Sequence, residues 1–573
     1  MANSPGPPEV IEITSSPDLW AHYTGDHEEI PDEIVFLKSS SSGSSAGPSL
    51  TPTGRPPLAV TVQTPPSNGP TMVKVALAAH DRRRAANPPE HPSPPRKVKR
   101  AGGDHQKPPA NPTAPQNVPR FLAGATLPNY LATSPDHGGI RLEDLLDKPH
   151  LQKAVLTSFV VDRPWLLSKL PADIPICLVK NWSANHGELP GAVKVIPNTM
   201  LIHPKMPSFP RYACFHAKLM LLYFPDFLRV AVCSGNLIAY DWDVMENTVF
   251  CQDFPKLDAE AGNDRLADPK GFAHTLERFL GDCDVPLQVR ATLRAYDFSN
   301  AKGYLIPSVP GSYPLDRTPS YGQVRLRDVV RDHYHRAHDP TDRTEPMLDP
   351  RQVHLEYQLS SLGQIGASWL PKFLKSACGQ AADYKPVPPA ERERMQDHFS
   401  IIYPSFETVQ QSIFGPAGGG SLFCSESAYR NLGDYQRCLA DCISHRPGRL
   451  MHSKLLLARL HDPASGDSAV DLPSPAWFYT GSHNLSPSAW GTFCQRRGAS
   501  STKSRAATSE EKGRDTEAAN RTQLQLNNYE LGIVQFADED PPETGGGFRV
   551  PYQYPLLRYH PALEPWMSSK YQG

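Results

Sequence analysis

Beyond residue 118 the chain alternates apolar runs with polar, turn-forming stretches. Apolar positions between Leu142 and Leu170 recur at helical spacing and predict helix, and Pro171 to Val179 leads into a strand. Lys218 to Phe224 and Leu228 to Cys233 predict two adjacent strands around a Pro225-Asp226 turn. The same succession of strand, loop and strand returns over Lys454 to Leu460 and Ala476 to Thr480. The expected fold is therefore α/β with a duplicated domain, each copy contributing one set of polar residues to a shared cleft.

The charged, His- and Pro-bearing stretch from Asp328 to Arg351 marks the expected boundary, giving halves at 119–345 and 346–573. Residues 496–523 carry Ser, Thr, Lys and Glu without apolar periodicity and read as a flexible surface insertion. Before residue 119, Pro, Ser and Gly leave few residues able to form a core, which predicts a disordered arm.

Composition narrows the functional classes. The 573 residues are 39% apolar, enough for two sizeable cores. A net charge of −2 gives no global attraction to nucleic acid, so any polyanion has to be held by a local basic groove. The ten cysteines lack paired spacing, and no secretory signal or bilayer-spanning run is evident, which favours a reducing, intracellular compartment. Cys438-x3-Cys442 with His445 has no second ligand pair and reads as buried thiols; neither metal nor cofactor is expected. Within the arm, Arg82-Arg83-Arg84 and Arg96-Lys97-Val98-Lys99-Arg100 flank a Pro-rich spacer in the form of a nuclear import signal. The short β-prone runs at 10–14 and 34–37, beside acidic and Ser-rich stretches, resemble SUMO-interacting motifs, which add a strand to a partner's sheet edge.

The chemistry lies in a repeated composite. His216-Ala217-Lys218 and His452-Ser453-Lys454 are each followed by an apolar run and then by Ser-x-Asn-Leu, at Ser234/Asn236 and Ser482/Asn484, with Trp242 and Trp490 six residues past the Asn. A His and a Lys two apart on a strand share one face. Cleaving a phosphodiester without a metal requires a nucleophile, a proton donor for the leaving group and fixed positive charge for the phosphorane. Two His, two Lys and two Asn supply all three. A single His-x-Lys is weak, but the paired composite places polar groups at matched positions on apolar strands, where burial without partners costs about 1–3 kcal/mol per group.

These residues resemble the phospholipase D superfamily and, within it, the tyrosyl-DNA phosphodiesterase branch. The Asp usual after each Lys in lipid-cleaving relatives is replaced by Leu219-Met220-Leu221-Leu222 and Leu455-Leu456-Leu457-Ala458, and each motif is completed by Asn. Phe159 to Leu166, Ser360 to Gly363, Ile402 to Ser405, Gly419 to Leu422 and Tyr529 to Gly532 resemble further segments of that branch, so the likeness runs from about Leu142 to Trp566. The resemblance implies two phospholipase D-like halves, a mixed sheet flanked by helices in each, related by a pseudo-two-fold. It also implies a DNA-repair enzyme that frees a 3′ DNA phosphate from tyrosine, or from the peptide carrying it, left by a stalled type IB topoisomerase; with the basic clusters of the arm, a nuclear protein is expected, and it is expected to act as a monomer.

By carry-over, His216 is the nucleophile and His452 the general acid and then base, while Lys218, Lys454, Asn236 and Asn484 bind the phosphate. Glu530 orients His216. The position aligned with the Gln that orients the second imidazole is Asn247, one methylene shorter. Ser360, Ser361 and Lys372 are candidate DNA-backbone contacts, and Phe159 and Tyr212 candidate stacking platforms. The C-terminal Pro565-Trp566-Met567-Ser568 departs from the family's Pro-Trp-x-Trp. The rivals are another nuclease or lipase of the superfamily and a catalytically inactive DNA-end-binding scaffold. The apolar residues after each Lys speak against the first, and two complete H-K-N sets against the second.

Overall fold

A computed structural model describes residues 119–573 apart from 133, 135–136, 208–212, 258–267, 269, 316–319, 338–347, 461–474, 496–521, 540–548, 561–562, 568–569 and 571–573. The basic clusters, the SUMO-like runs, Tyr212 and most of the 496–523 insertion lie outside the described residues.

The strands of the N-terminal part are β1 (Ala125–Pro128), β2 (Lys153–Ser158), β3 (Ile176–Lys180), β4 (Val193–Ile196), β5 (Thr199–Ile202), β6 (Cys214–Phe215), β7 (Leu219–Tyr223), β8 (Phe227–Cys233) and β9 (Thr248–Pro255). Then follow β10 (Tyr304–Ser308), β11 (Gly311–Pro314), β12 (Val353–Gln358), β13 (Ser361–Leu362), β14 (Phe399–Ile402), β15 (Phe423–Cys424), β16 (Leu439–Ala440), β17 (Leu455–Leu460), β18 (Trp477–Gly481), β19 (Thr492–Gln495), β20 (Thr522–Leu526) and β21 (Asn528–Phe536). One large sheet runs β1-β9-β8-β7-β2-β3-β5-β4 and the other β10-β21-β18-β17-β12-β14-β16.

The two sheets share one plan. In the first, β9, β8, β7 and β2 are successively antiparallel and β2 is parallel to β3. In the second, β21, β18, β17, β12 and β14 repeat those relations in the same order. This is a mixed α/β sheet built twice, the two-halved arrangement that the resemblance implies.

The central strands are buried on both faces, which is why they read as unbroken apolar runs. Leu219, Leu221 and Tyr223 face a core shared with Leu305, Leu531 and Ile533 of the second sheet, whereas Met220 and Leu222 face the helices Leu142–Leu146 and Arg163–Lys169. Double burial also explains a departure from the expected helix over Leu142 to Leu170. That stretch is two short helices separated by β2, whose Ala154, Val155 and Leu156 are fully buried, and a short apolar run does not distinguish strand from helix by period alone. The chain reaches the second sheet at β10, which pairs with β21 at its edge, and residues 522 and 523 already belong to β20. Among the described residues no helix is long and apolar enough to cross a membrane.

Candidate active site

Antiparallel neighbours bring the start of one strand beside the end of the next. His216 and Lys218 therefore precede β7 where Ser234 and Asn236 follow β8, and His452 and Lys454 precede β17 where Ser482 and Asn484 follow β18. Each lysine is tethered by its own motif: Lys218 Nζ donates to the His216 carbonyl at 2.6 Å, and Lys454 Nζ to the His452 carbonyl. Each asparagine is fixed by main chain. Asn236 Oδ1 accepts from the Val160 N–H at 3.3 Å, and Asn484 Oδ1 from Ser361 and Ser360 N–H at 3.0 and 3.2 Å. Both Nδ2 groups are thereby set as donors.

The halves interlock at these motifs. His216 N–H donates to the Tyr529 carbonyl at 2.9 Å, with β6 running parallel to β21, and His452 N–H donates to the Glu246 carbonyl at 2.7 Å. In the second half Ser482 Oγ accepts from Leu531 N–H and donates to Glu530 Oε2 at 2.6 Å, and Glu530 Oε2 also accepts from His216 Nδ1 at 2.8 Å. In the first half Ser234 Oγ accepts from Thr248 N–H and donates to Asn247 Oδ1 at 2.8 Å. Asn247 thus stands in the same local frame as Glu530, but it does not reach an imidazole. Its Nδ2 donates to the Asp241 carbonyl at 2.7 Å, so its short amide is spent on main chain beneath the site rather than on His452.

The carboxylate beside His452 belongs to Asp241, a fully buried residue in the helix Ala239–Asp243 that the sequence pattern did not single out. Asp241 Oδ2 lies 3.4 Å from His452 Nδ1 and accepts from Asn236 N–H and Nδ2 at 2.6 and 2.9 Å. The signal was available: Asp241 immediately precedes Trp242, whereas Ala489 precedes Trp490 in the second copy. His483, buried between Ser308 and Tyr479 and tilted against Trp490, was also missed; burial lowers its imidazole to about 3 and keeps it neutral beside Glu530.

Burial and mutual repulsion dominate the electrostatics. Lys218 is lowered to about 8 by desolvation, against the opposing pull of Glu530 and Asp241. Lys454 is pushed further down by burial and by Lys218. His216 and His452 are both lowered, first by burial and then by the lysines, with Glu530 opposing the effect at His216 alone. Burial raises the Glu530 carboxyl, but the hydrogen bond from His216 and the neighbouring His216, His483 and Lys218 side chains bring it down to about 2. Amines so stripped of water gain from a bound anion, which favours the protonated form that burial opposes, and a carboxylate-bound, unprotonated imidazole has a free Nε2 lone pair.

Around this centre, the Phe159 ring lies 5.4 Å from the His216 ring, with Lys218 Nζ 5.9 Å from its centroid. Ser360 and Ser361 flank Asn484, and the Ser360 hydroxyl also donates to Asn484 Oδ1 at 3.3 Å. Lys372 is largely buried in the helix Trp369–Ala377, and among the described residues no hydrogen bond joins it to either H-K-N set. Trp566 is buried, donating from Nε1 to the Gly419 carbonyl. Among the described residues no group of three or more His, Cys, Asp or Glu side chains is placed to hold a metal ion.

Comparison with known proteins agrees with this architecture. The family model described as tyrosyl-DNA phosphodiesterase matches residues 128–560. Tyrosyl-DNA phosphodiesterase 1 of Arabidopsis thaliana is 27% identical over 443 residues, covering 72% of this chain and 61% of that protein. The Drosophila melanogaster protein of the same name is 26% identical over 491 residues, covering 80% and 75%. The crystal structure of the yeast tyrosyl-DNA phosphodiesterase superposes with a TM-score of 0.54 at 16% identity, covering 78% of this chain and 99% of that one. The chain belongs to the tyrosyl-DNA phosphodiesterase family.

Proposed function

We propose that the protein hydrolyses the bond between a 3′ DNA phosphate and tyrosine, including the peptide remnant of a type IB topoisomerase, and that it also removes other 3′ blocking groups. The observation that carries this is the meeting of two H-K-N sets, one from each half, at a buried site where desolvation lowers both lysines against the pull of Glu530 and Asp241, so that a bound anion favours their charged forms. His216, kept unprotonated and oriented by Glu530, attacks phosphorus through Nε2. As the N–P bond forms, the bond to the tyrosyl oxygen breaks, and that oxygen takes a proton from His452. The incoming phosphodiester anion supplies the charge that lets His452 hold that proton against burial and the lysines. Water then attacks phosphorus, yields its proton to His452, and the N–P electron pair returns to His216, leaving a 3′ phosphate. Lys218, Lys454, Asn236 and Asn484 hold the non-bridging oxygens throughout.

Phe159 supports a base next to the scissile phosphate, and Ser360, Ser361 and Lys372 extend the backbone track. Nuclear import through the basic clusters, SUMO binding at 10–14 and 34–37 and action as a monomer belong to the same proposal. Deletion of residues 96–100 should release a fluorescent fusion from the nucleus, and Ala replacement of both short runs should abolish SUMO binding.

The deciding experiment incubates the protein with a 3′-phosphotyrosyl oligonucleotide in EDTA. A 3′-phosphate product, lost in His216→Ala, is expected. No cleavage, or cleavage retained in His216→Ala, rejects the proposal, and preference for lipid or internal DNA phosphodiesters would favour the superfamily rivals.

A further inference from the structure

Two buried polar atoms beside the second H-x-K motif lack a hydrogen-bond partner among the described residues: Asp241 Oδ1 and His452 Nδ1. They belong to side chains that face each other, with Asp241 Oδ2 3.4 Å from that Nδ1. The frame that delivers Glu530 to His216 delivers only Asn247 on the other side, and Asn247 is occupied by Ser234 and the Asp241 carbonyl. The second half has no carboxylate matching Asp241, since Ala489 occupies that place.

From this geometry we infer that Asp241 is the positioning residue of His452, accepting a hydrogen bond from Nδ1–H so that Nε2 faces the scissile phosphate, and that Asn247 serves by pinning the main chain of Asp241. Hydrogen bonds of this kind are often long in a free enzyme and shorten when substrate arrives. A shortening of this 3.4 Å contact by a few tenths of an ångström satisfies Nδ1. The consequence is a proton held in place: Nδ1–H stays on the ring, donated to Asp241, while Nε2 gives its proton to the leaving oxygen and later takes one from water. Burial raises the Asp241 carboxyl, while its hydrogen bonds from Asn236 and the neighbouring Lys454 and Lys218 favour its charged form; as a carboxylate it stabilises the imidazolium in both steps, as the buried Asp does for the catalytic His of serine proteases. The same carboxylate fixes the Asn236 amide, so one side chain ties the second imidazole to the first half's phosphate-binding set.

This rests on the phosphodiesterase reading for its kinetics, so the test has one arm that needs no substrate. In the full-length protein with 15N-labelled histidine, the ring signals of His452 are identified by their loss in His452→Asn. Asp241→Asn should shift its Nδ1 signal and leave those of His216 in place. In single-turnover reactions on a 3′-phosphotyrosyl oligonucleotide, Asp241→Asn should slow hydrolysis of the covalent adduct by about 10- to 100-fold and its formation less, because tyrosine leaves readily while water needs a base. Adding Asn247→Gln to Asp241→Asn should restore hydrolysis by supplying the longer amide. An unchanged His452 signal, or both steps slowed equally along with a lowered Tm and no rescue, overturns the inference. If the wild-type protein does not cleave the substrate, the phosphodiesterase reading fails, and the His452 signal alone decides the Asp241 pair.

Discussion

Glu530 and Asn247 occupy matching frames, each accepting a hydrogen bond from the serine two residues before an asparagine, yet only Glu530 reaches a histidine ring. The difference sorts the two imidazoles. His216 has an anionic partner at hydrogen-bond distance; His452 has Asp241 beside it at 3.4 Å.

Glu530→Gln should leave the fold intact and still occupy the same space, but it removes the charge that favours the Nδ1–H form of His216. Formation of the covalent adduct is expected to fall by about 100-fold or more in single-turnover assays. Equal formation rates in the two proteins would show that the hydrogen bond at His216 is decorative.

His452→Asn should trap the intermediate. The adduct still forms on a good leaving group but loses the base that activates water, so a covalent protein-DNA band accumulates on a denaturing gel. If tyrosine release stops and no band forms, the two histidines have exchanged roles.

What the sequence disclosed follows from what repeats. His216, Lys218 and Asn236 recur as His452, Lys454 and Asn484 because one local architecture was used twice, so a single chain displays both copies. Glu530 was legible only through the Tyr-Glu-Leu-Gly resemblance, since its partner is 314 residues away. Asp241 escaped because it breaks the repeat rather than obeying it, and its meaning depends on which half's histidine lies opposite. β2 escaped because an apolar run buried on both faces carries no period.

Substrate affinity should fall as pH rises through about 8. Below that value Lys218 carries its proton; above it the free protein loses the charge that a phosphate requires, and a bound phosphate must draw the proton back. The Kd of a 3′-phosphorylated oligonucleotide, followed by anisotropy at constant ionic strength, is expected to rise by up to about tenfold per pH unit in that limb. A flat profile from pH 7 to 9.5 would contradict the depressed amine.

Phe159→Ala should weaken binding of single-stranded substrate by about 1–3 kcal/mol, with Phe159→Trp restoring it. If Kd is unchanged while adduct formation slows, the ring serves to pack His216, which it meets at 5.4 Å, rather than a base.

Gly532→Ala tests the support beneath Glu530. Gly481 and Gly532 face each other across β18 and β21, and the Tyr479 ring lies over them, so a Cβ at 532 would sit 2.1 Å from that ring. The Tyr479 hydroxyl lies 2.5 Å from His483 Nδ1, so the ring has little freedom to move aside. A loss of about 1–3 kcal/mol is expected in thermal or denaturant unfolding. A neutral effect would mean that the β18–β21 pair yields more easily than its packing implies.

The interlock at β6 and β21 reaches beyond catalysis to inheritance. Since the histidine of the first half draws its carboxylate from a strand of the second, and the second histidine faces a carboxylate of the first, neither half is a transferable module. A chimera that exchanged the second half for that of a distant relative would keep His216 and Lys218 unaltered, yet fall silent unless the incoming strand brought an acid to the place of Glu530. Each half of the site is thus completed by a side chain of the other.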